Sequence, residues 1–400
     1  MKKYFFPRTL IEKLLFTLII MAVYLIGREI PLFGVDLGAY DVLRGNTDDL
    51  IMQTIGGDRY KTSIFALGIS PFMFSTLFIQ MAVAVKNVDS KTHSSPKKIT
   101  YGTLILMLVW AIIQACFNTA STFYLFDGAG LVLVKIISGL QMVAGSFVIL
   151  WLATLNGKYG VGGQTILIYV NILDSIVNTI QGESFADLKL IGLICIVALL
   201  ITIIFENTEY RIPMQRISIH NIYSDKNYIP IKLNPIGMMP VMFSSAFFML
   251  PVYISTCLVG WFPDNENFIY VYENMNTGHA LGIIVYIVAL YIITIVFSFV
   301  FISPKNLAES MQKSGDSITG LRSGKRTRRY IGNRLFLISI VSATFMSIFI
   351  GMPLVLQLNG MVDTELMSLP SIVIAMGSIN CNLYRELRAV KDFDGYIPFI

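Results

Sequence analysis

The chain has 400 residues, of which 55% are hydrophobic and only 14% charged, with a net charge of +5; its mean hydropathy is +0.67. That balance excludes a water-soluble globular protein of this size and points to a chain that crosses a membrane many times. Cys116, Cys195, Cys257 and Cys381 each lie in or beside a different apolar run, with no CxxC pair. They read as small core residues rather than a disulfide or metal framework. His93, His220 and His279 fall in polar connections and read as solvated.

A bilayer core of about 30 Å takes about 20 mostly apolar residues per helix. Ten stretches meet or approach that length: 10–27, 63–85, 101–125, 131–155, 164–181, 187–205, 235–258, 280–302, 334–354 and 367–384. The first has a basic start, but its apolar run ends at Gly27-Arg28-Glu29 rather than at a small-residue cleavage site. It is expected to be a retained span, not a signal peptide. The connection that follows, 31–62, is unusually long, with an apolar patch at Leu50-Ile51-Met52 and then Gly56-Gly57. Two readings fit it equally: a surface loop with one helical turn, or a short segment folded back into the mouth of a pore, where non-spanning backbone is tolerated.

The second stretch contains SIFALGISPFMFSTLFIQ, with a proline, a glycine and serines at membrane depth. Its Gly68, Pro71, Met73, Phe74 and Ser75 recur at the same spacing as Gly237, Pro240, Met242, Phe243 and Ser244. A short echo arises readily by chance in so apolar a chain, but both runs open a span. Proline removes a backbone donor and small residues admit close neighbours, so both spans belong inside a bundle, as the two facing walls of a pore.

An even number of spans places both termini on one side. Lys and Arg collect at the termini and in the even-numbered connections, and only Arg28, Arg44, Arg59, Lys61, Lys135 and Lys189 fall on the opposite side. Both termini are therefore expected in the cytosol. Of the cytosolic connections, 207–234 carries YRIPMQ and YIPIKLNP, with prolines at set places, and 303–333 carries the basic run Lys325, Arg326, Arg328 and Arg329. Such a run orients helices and touches anionic lipid, or it docks an acidic partner; the residues leave both open.

HExxH, P-loop and GxSxG motifs are absent from the sequence, and so is a pair of midspan carboxylates; Asp174 is the clearest charged residue inside a span. Ion-coupled carriers usually keep ionisable groups near the midplane. Here the polarity is uncharged, at Gln114, Gln164, Thr165, Asn171, Ser244 and Ser245. It serves helix-to-helix hydrogen bonding, or a weakly polar path with an apolar waist. No catalytic residue, metal site or cofactor is expected, and the chain reads as no enzyme.

With these residues the chain resembles the SecY family, the central subunit of the bacterial protein-conducting channel. The resemblance rests on GREIPL at 27–32, the stretch at 63–80, YRIPMQ at 210–215, YIPIKLNPIGMMPVMFSS at 228–245 and NLAESMQKSGDSITGLRSGKRTRRYI at 306–331. It implies an all-α polytopic membrane protein with ten transmembrane helices in two inverted five-helix halves, 1–181 and 182–400. It also implies a waist formed by Ile69, Met73, Thr165, Tyr169, Met242 and a residue near Val373. Flexible methionines can close such a hole and mould around a passing chain, and an apolar constriction holds water poorly. A plug within about 41–62 would use Leu50, Ile51, Met52, Ile55, Gly56 and Gly57, and a lateral gate would use Gln80, Gln114, Ser244 and Ser245. The implied partners are a SecA-type motor ATPase or a ribosome, a SecE-type small membrane subunit, a preprotein with a signal sequence, and the lipid bilayer; nucleic acid is not among them. Arg322, with Lys325, Arg326, Arg328, Arg329 and Arg211, would meet the motor.

Three departures matter. The family's IPGIRPG turn reads Ile318-Thr319-Gly320-Leu321-Arg322-Ser323-Gly324, which loses two prolines and with them stiffness. The fifth span starts Gly162-Gly163-Gln164-Thr165 where GNG is common, and the tail after the tenth span is short. In these respects the chain resembles the accessory SecY branch of Gram-positive bacteria, which works with its own accessory SecA and exports serine-rich glycosylated adhesins. The alternatives are a housekeeping SecY and, from another class, an ion-coupled secondary transporter, which also uses inverted repeats and broken helices.

Overall fold

Lipid offers the backbone no hydrogen bonds, so apolar runs of this length satisfy themselves as helices. The computed structural model describes residues 8–36, 63–89, 95–126, 129–181, 185–215, 227–237, 239–240, 251, 254–256, 258–260, 265–275, 278–318, 320–321, 324–360 and 366–395. Every expected span except the seventh appears there as a helix: α1 (Arg8–Arg28), α2 (Ser70–Asp89), α3 (Pro96–Ser121), α4 (Ala129–Tyr159), α5 (Thr165–Gln181), α6 (Phe185–Asn207), α8 (Ala280–Ile302), α10 (Lys325–Leu358) and α11 (Leu369–Gly395). The short α7 (Glu266–Asn274) precedes α8, and α9 (Pro304–Ser314) follows it. The seventh stretch, 235–258, lies mostly outside the described residues. Among the described residues 7 helices are long and apolar enough to cross a membrane, and Ser70–Val83 and Thr165–Val177 are shorter apolar helices.

Of the boundaries that differ from the sequence expectation, two bear on the candidate site. The second helix begins at Ser70, because 63–69 form turns in which Gly68 takes a left-handed φ of 55°. The ninth begins at Lys325, so the basic run forms its first turns. At about 1.5 Å per residue this 34-residue helix is about 50 Å long, well beyond the hydrocarbon core.

The chain forms two compact units, Met1–Ser184 with Ile379–Ile400, and Phe185–Ser378. In the first, α2 packs along α3, α3 along α4, and α1 against α4 and α5. Leu32, Val35, Leu67, Ala111, Ala115 and Met142 form a buried cluster. The turns before α2 pass directly over α4 at Gly145, where a Cβ would collide with the carbonyl oxygen of Ile64. Polar side chains tie α1 to α5: Tyr24 Oη donates to Asn171 Oδ1 at 2.8 Å, and Arg28 Nη2 to Asp174 Oδ2 at 2.6 Å. The charge that stood out inside a span is thus one half of an ion pair with the arginine of the Gly27-Arg28-Glu29 motif.

In the second unit α8 packs along α10, so closely that a Cβ on Gly351 would meet Ile287 Cδ1 at 2.7 Å. Alongside the helices the structure adds a small sheet. β1 (Glu209–Gln215), β2 (Tyr228–Lys232) and β3 (Ser317–Ile318) are antiparallel in the order β2-β1-β3. It stitches the connections 207–234 and 303–333 together, since Met214 pairs with Ile318 and Gln215 with Ser317. The prolines fit this register: Pro230 lies on edge strand β2, and Pro213 stands just before the β3 pairing begins. Ile212, Ile231 and Ile318 bury one face of the sheet against Met311 of α9 and Ile331, Leu335 and Ile338 of α10.

Candidate functional site

Among the described residues, the glycine and the proline of the echoed motif take the same backbone in both copies. Gly68 (φ 55°) and Gly237 (φ 67°) are both left-handed, and Pro71 and Pro240 both stand within helical residues just begun, at Ser70 and Met239. Glycine permits the reversal, and proline costs nothing in a first turn whose N–H groups have no intrahelical acceptor. The prolines therefore start helices rather than interrupt them. In the first unit, Ser70 Oγ donates to Leu67 O at 2.7 Å and to Gln114 Oε1 at 3.3 Å. Ile69 and Met73, 2% and 4% exposed, follow one helical turn apart. Gln114 is buried on α3, one turn after Trp110, whose ring tilts against Phe74 at 5.0 Å. Gln80 is exposed on α2.

The start of α5 is built by a second cluster in the same unit. Gly162 and Gly163 have φ of 76° and 47°. Asn156 Nδ2 holds that turn by donating to Val161 O and Gly163 O at 2.8 and 2.9 Å, while Val161 N donates to Thr17 Oγ1 at 2.9 Å. Glu386 of α11 accepts from Gly162 N at 3.0 Å. This accounts for two adjacent glycines at 162–163, which allow the turn its left-handed geometry. Thr165 Oγ1 donates to Gly162 O at 2.5 Å and so ties the first residue of the helix to the glycine turn, and Tyr169, one turn on, is half-buried. In the second unit Val373 is half-buried on α11. Met242, Ser244, Ser245, the plug residues Leu50, Ile51, Met52, Ile55, Gly56 and Gly57, and Arg322 lie outside the described residues.

The remaining predicted docking residues are exposed on the second unit. Arg211 on β1 stacks over the Tyr228 ring at 4.5 Å, and Lys325, Arg326, Arg328 and Arg329 occupy the exposed start of α10. Sequence reasoning missed the aromatic side of this surface: the Arg334 guanidinium lies 5.8 Å from the Tyr210 ring and 5.3 Å from that of Tyr330. The interleaving of Tyr and Arg in YRIPMQ and RRYIGNR was the available signal, since a guanidinium favours an aromatic face. Among the described residues no group of His, Cys, Asp and Glu could hold a metal ion.

Long apolar helices, glycine-proline turns that open them and a basic sheet-bearing surface define a polytopic helical membrane protein. The SecY family model matches residues 63–381. The chain is 30% identical over 396 residues to an accessory Sec system protein translocase subunit SecY2 from Streptococcus agalactiae serotype Ia, covering 97% of this chain and 96% of that protein. It is 28% identical over 406 residues to the subunit of the same name from Streptococcus sanguinis, covering 98% and 99%. A solved structure described as that of a protein conducting channel superposes with a TM-score of 0.70 at 19% identity, over 100% of this chain and 98% of that one, and shares its fold. The chain belongs to the SecY family.

Proposed function

We propose that the chain is the central subunit of a channel that passes unfolded preproteins across the cytoplasmic membrane of a bacterium, and that it serves an accessory export system. The observation that carries this reading is the near full-length similarity to SecY2 translocase subunits, 30% identical over 97% of the chain. The repeated glycine-proline turn, left-handed at both Gly68 and Gly237, supports it by giving two spans the same opening geometry. Asp174, the residue best suited to an ion-coupled carrier, is tied to Arg28, which favours a channel over a transporter.

In this reading both termini are cytosolic, and 1–181 and 182–400 are the two halves. The waist draws on Ile69, Met73, Thr165, Tyr169, Met242 and Val373. Residues 41–62 supply the plug, and Gln80, Gln114, Ser244 and Ser245 belong to the lateral gate. A signal sequence that reaches lipid through that gate buries apolar surface worth about 25 cal/mol per Å², which offsets the cost of parting the seam. Work comes from a SecA-type motor, and a SecE-type subunit braces the helices. The motor meets the cations of the two sheet-linked connections, where Arg211, Lys325, Arg326, Arg328 and Arg329 are exposed, and its acidic face is steered there by charge.

Depleting the chain tests the function: export of serine-rich surface adhesins should stop while general secretion continues. General secretory failure would instead assign it the housekeeping role. Arg322→Glu tests the docking surface, and should weaken motor-driven export while the protein still inserts at normal abundance. Unimpaired export by that variant would remove Arg322 from the docking site.

A further inference from the structure

α4 carries a lysine inside its apolar run. Lys135 lies in the second turn of the helix, within the stretch Gly130–Tyr159 that is long and apolar enough to cross a membrane. An ionisable side chain in a span is costly and is found where something meets its charge. Asp174, the charge inside α5, is met by Arg28. Lys135 is not met in that way: among the described residues no carboxylate pairs with its ammonium, which stands 6.0 Å from the centre of the Tyr124 ring. That distance is the outer limit of a cation–π contact.

The ring is held in place by its hydroxyl. Ser138 Oγ donates to Lys135 O at 3.1 Å, which takes its one proton. In the 2.7 Å contact between Tyr124 Oη and Ser138 Oγ the tyrosine is therefore the donor.

Around these outer turns of α4 the surface is aromatic and apolar. Gly34 passes so close that a Cβ there would meet Val134 Cγ1 at 2.7 Å and Phe126 at 3.3 Å. Backbone bonds from Leu125 N to Gly34 O and from Asp36 N to Phe123 O join this strip to the end of α3. Phe33 stacks on Phe126 at 6.5 Å. Phe33, Phe123 and Phe126 are exposed, and so are Val132, Leu133 and Ile136 on α4. Aromatic side chains gather where hydrocarbon gives way to headgroups, and a lysine stem runs along apolar surface to bring its ammonium to that level. Lys135 is half-buried there, and a charge that has lost part of its water is stabilised by an anion. The anion present at headgroup level is the lipid phosphate.

We propose that Lys135, beside the Tyr124 ring, binds the phosphate of an anionic phospholipid of the phosphatidylglycerol kind, whose acyl chains lie along Val132, Leu133 and Ile136. A zwitterionic lipid answers its phosphate with its own ammonium and competes poorly for the site. With both termini cytosolic this lipid belongs to the outer leaflet; the leaflet rests on that reading, and the site does not.

The test uses the full chain in proteoliposomes containing a phosphatidylglycerol with a photoreactive group near its headgroup, the adducts being mapped to peptides. Adducts within 122–141 should be displaced by unlabelled phosphatidylglycerol and not by the same amount of phosphatidylethanolamine. One lysine near a membrane surface is worth about fivefold in binding to anionic lipid. Adducts at 122–141 should therefore fall about fivefold in Lys135→Met and persist in Lys135→Arg, while those at the basic start of α10 stay unchanged. Equal yields from the parent and Lys135→Met, or equal displacement by the two lipids, overturn the proposal and leave ordinary lipid contact. The displacement arm is read on the parent chain, so it decides the matter even if Lys135→Met does not accumulate. A cysteine at Gly130, where a Cβ meets nothing within 4 Å, reports the leaflet separately. A membrane-impermeant maleimide should label Gly130→Cys from outside the cell, above the level of the parent chain. Labelling only from the cytosolic side would overturn the orientation and move the lipid to the inner leaflet, with the site intact.

Discussion

Arg28→Met is expected to lower the unfolding midpoint of the purified protein in detergent and to reduce the amount of inserted channel. Arg28 is 7% exposed and its guanidinium donates to Asp174 at 2.6 Å, so its removal strands a carboxylate between α1 and α5. Breaking a buried pair by removing one partner costs roughly 3–5 kcal/mol. The Asp174 side chain is 37% exposed, which places the cost at or below the lower end of that range. The double variant Arg28→Met with Asp174→Leu removes both partners of this pair and should recover most of the loss, because replacing both partners by apolar groups is often close to neutral. A single Arg28→Met variant that melts with the parent would show that the pair does not hold α1 to α5.

Gly145→Leu should be the more severe lesion. In an exposed helix, replacing glycine by a residue with a side chain gains up to about 1 kcal/mol of helix propensity. At Gly145 the sign reverses, because the new Cβ falls on the Ile64 carbonyl oxygen, and backbone yields far less readily than a side-chain tip. Overpacking of this kind typically costs about 1–3 kcal/mol and sometimes more. It also pushes the turns that place Ile69 and Met73, so export should fall further than stability does. Thermal melting and an export assay on Gly145→Ala and Gly145→Leu check the order parent, alanine, leucine. Equal melting and equal export in all three would contradict the close approach.

The spans were legible because hydrocarbon length and backbone hydrogen bonding leave a long apolar run few other structures. The glycine-proline turns were legible as an echo, but not as left-handed turns that start helices, since spacing alone does not separate a helix's first turn from its interior. The sheet escaped because its strands are short, one has only two residues, and YRIPMQ and YIPIK carry prolines that argue against strands until the register shows where each proline falls. The buried Glu206 at the end of α6, which accepts from Asn234 Nδ2 and Ser378 Oγ, escaped for another reason. It stands at the polar end of an apolar helix and resembles a solvated terminus, while its partners Asn234 and Ser378 lie 28 and 172 residues away. Asp174 drew notice as a charge inside a span, yet nothing local linked it to Arg28, 146 residues earlier. Pairings at such separations are decided by packing, not by any window of sequence.

The measurement closest to the central claim is a crosslink at Met242. A photoreactive group placed there, with a serine-rich preprotein stalled in membranes beside its motor ATPase, should give an adduct that requires both ATP and the motor. An adduct to an ordinary preprotein alone would keep the channel and remove the accessory assignment. With no adduct to either preprotein, Met242 would not line the path of a translocating chain, and the proposed waist would be contradicted.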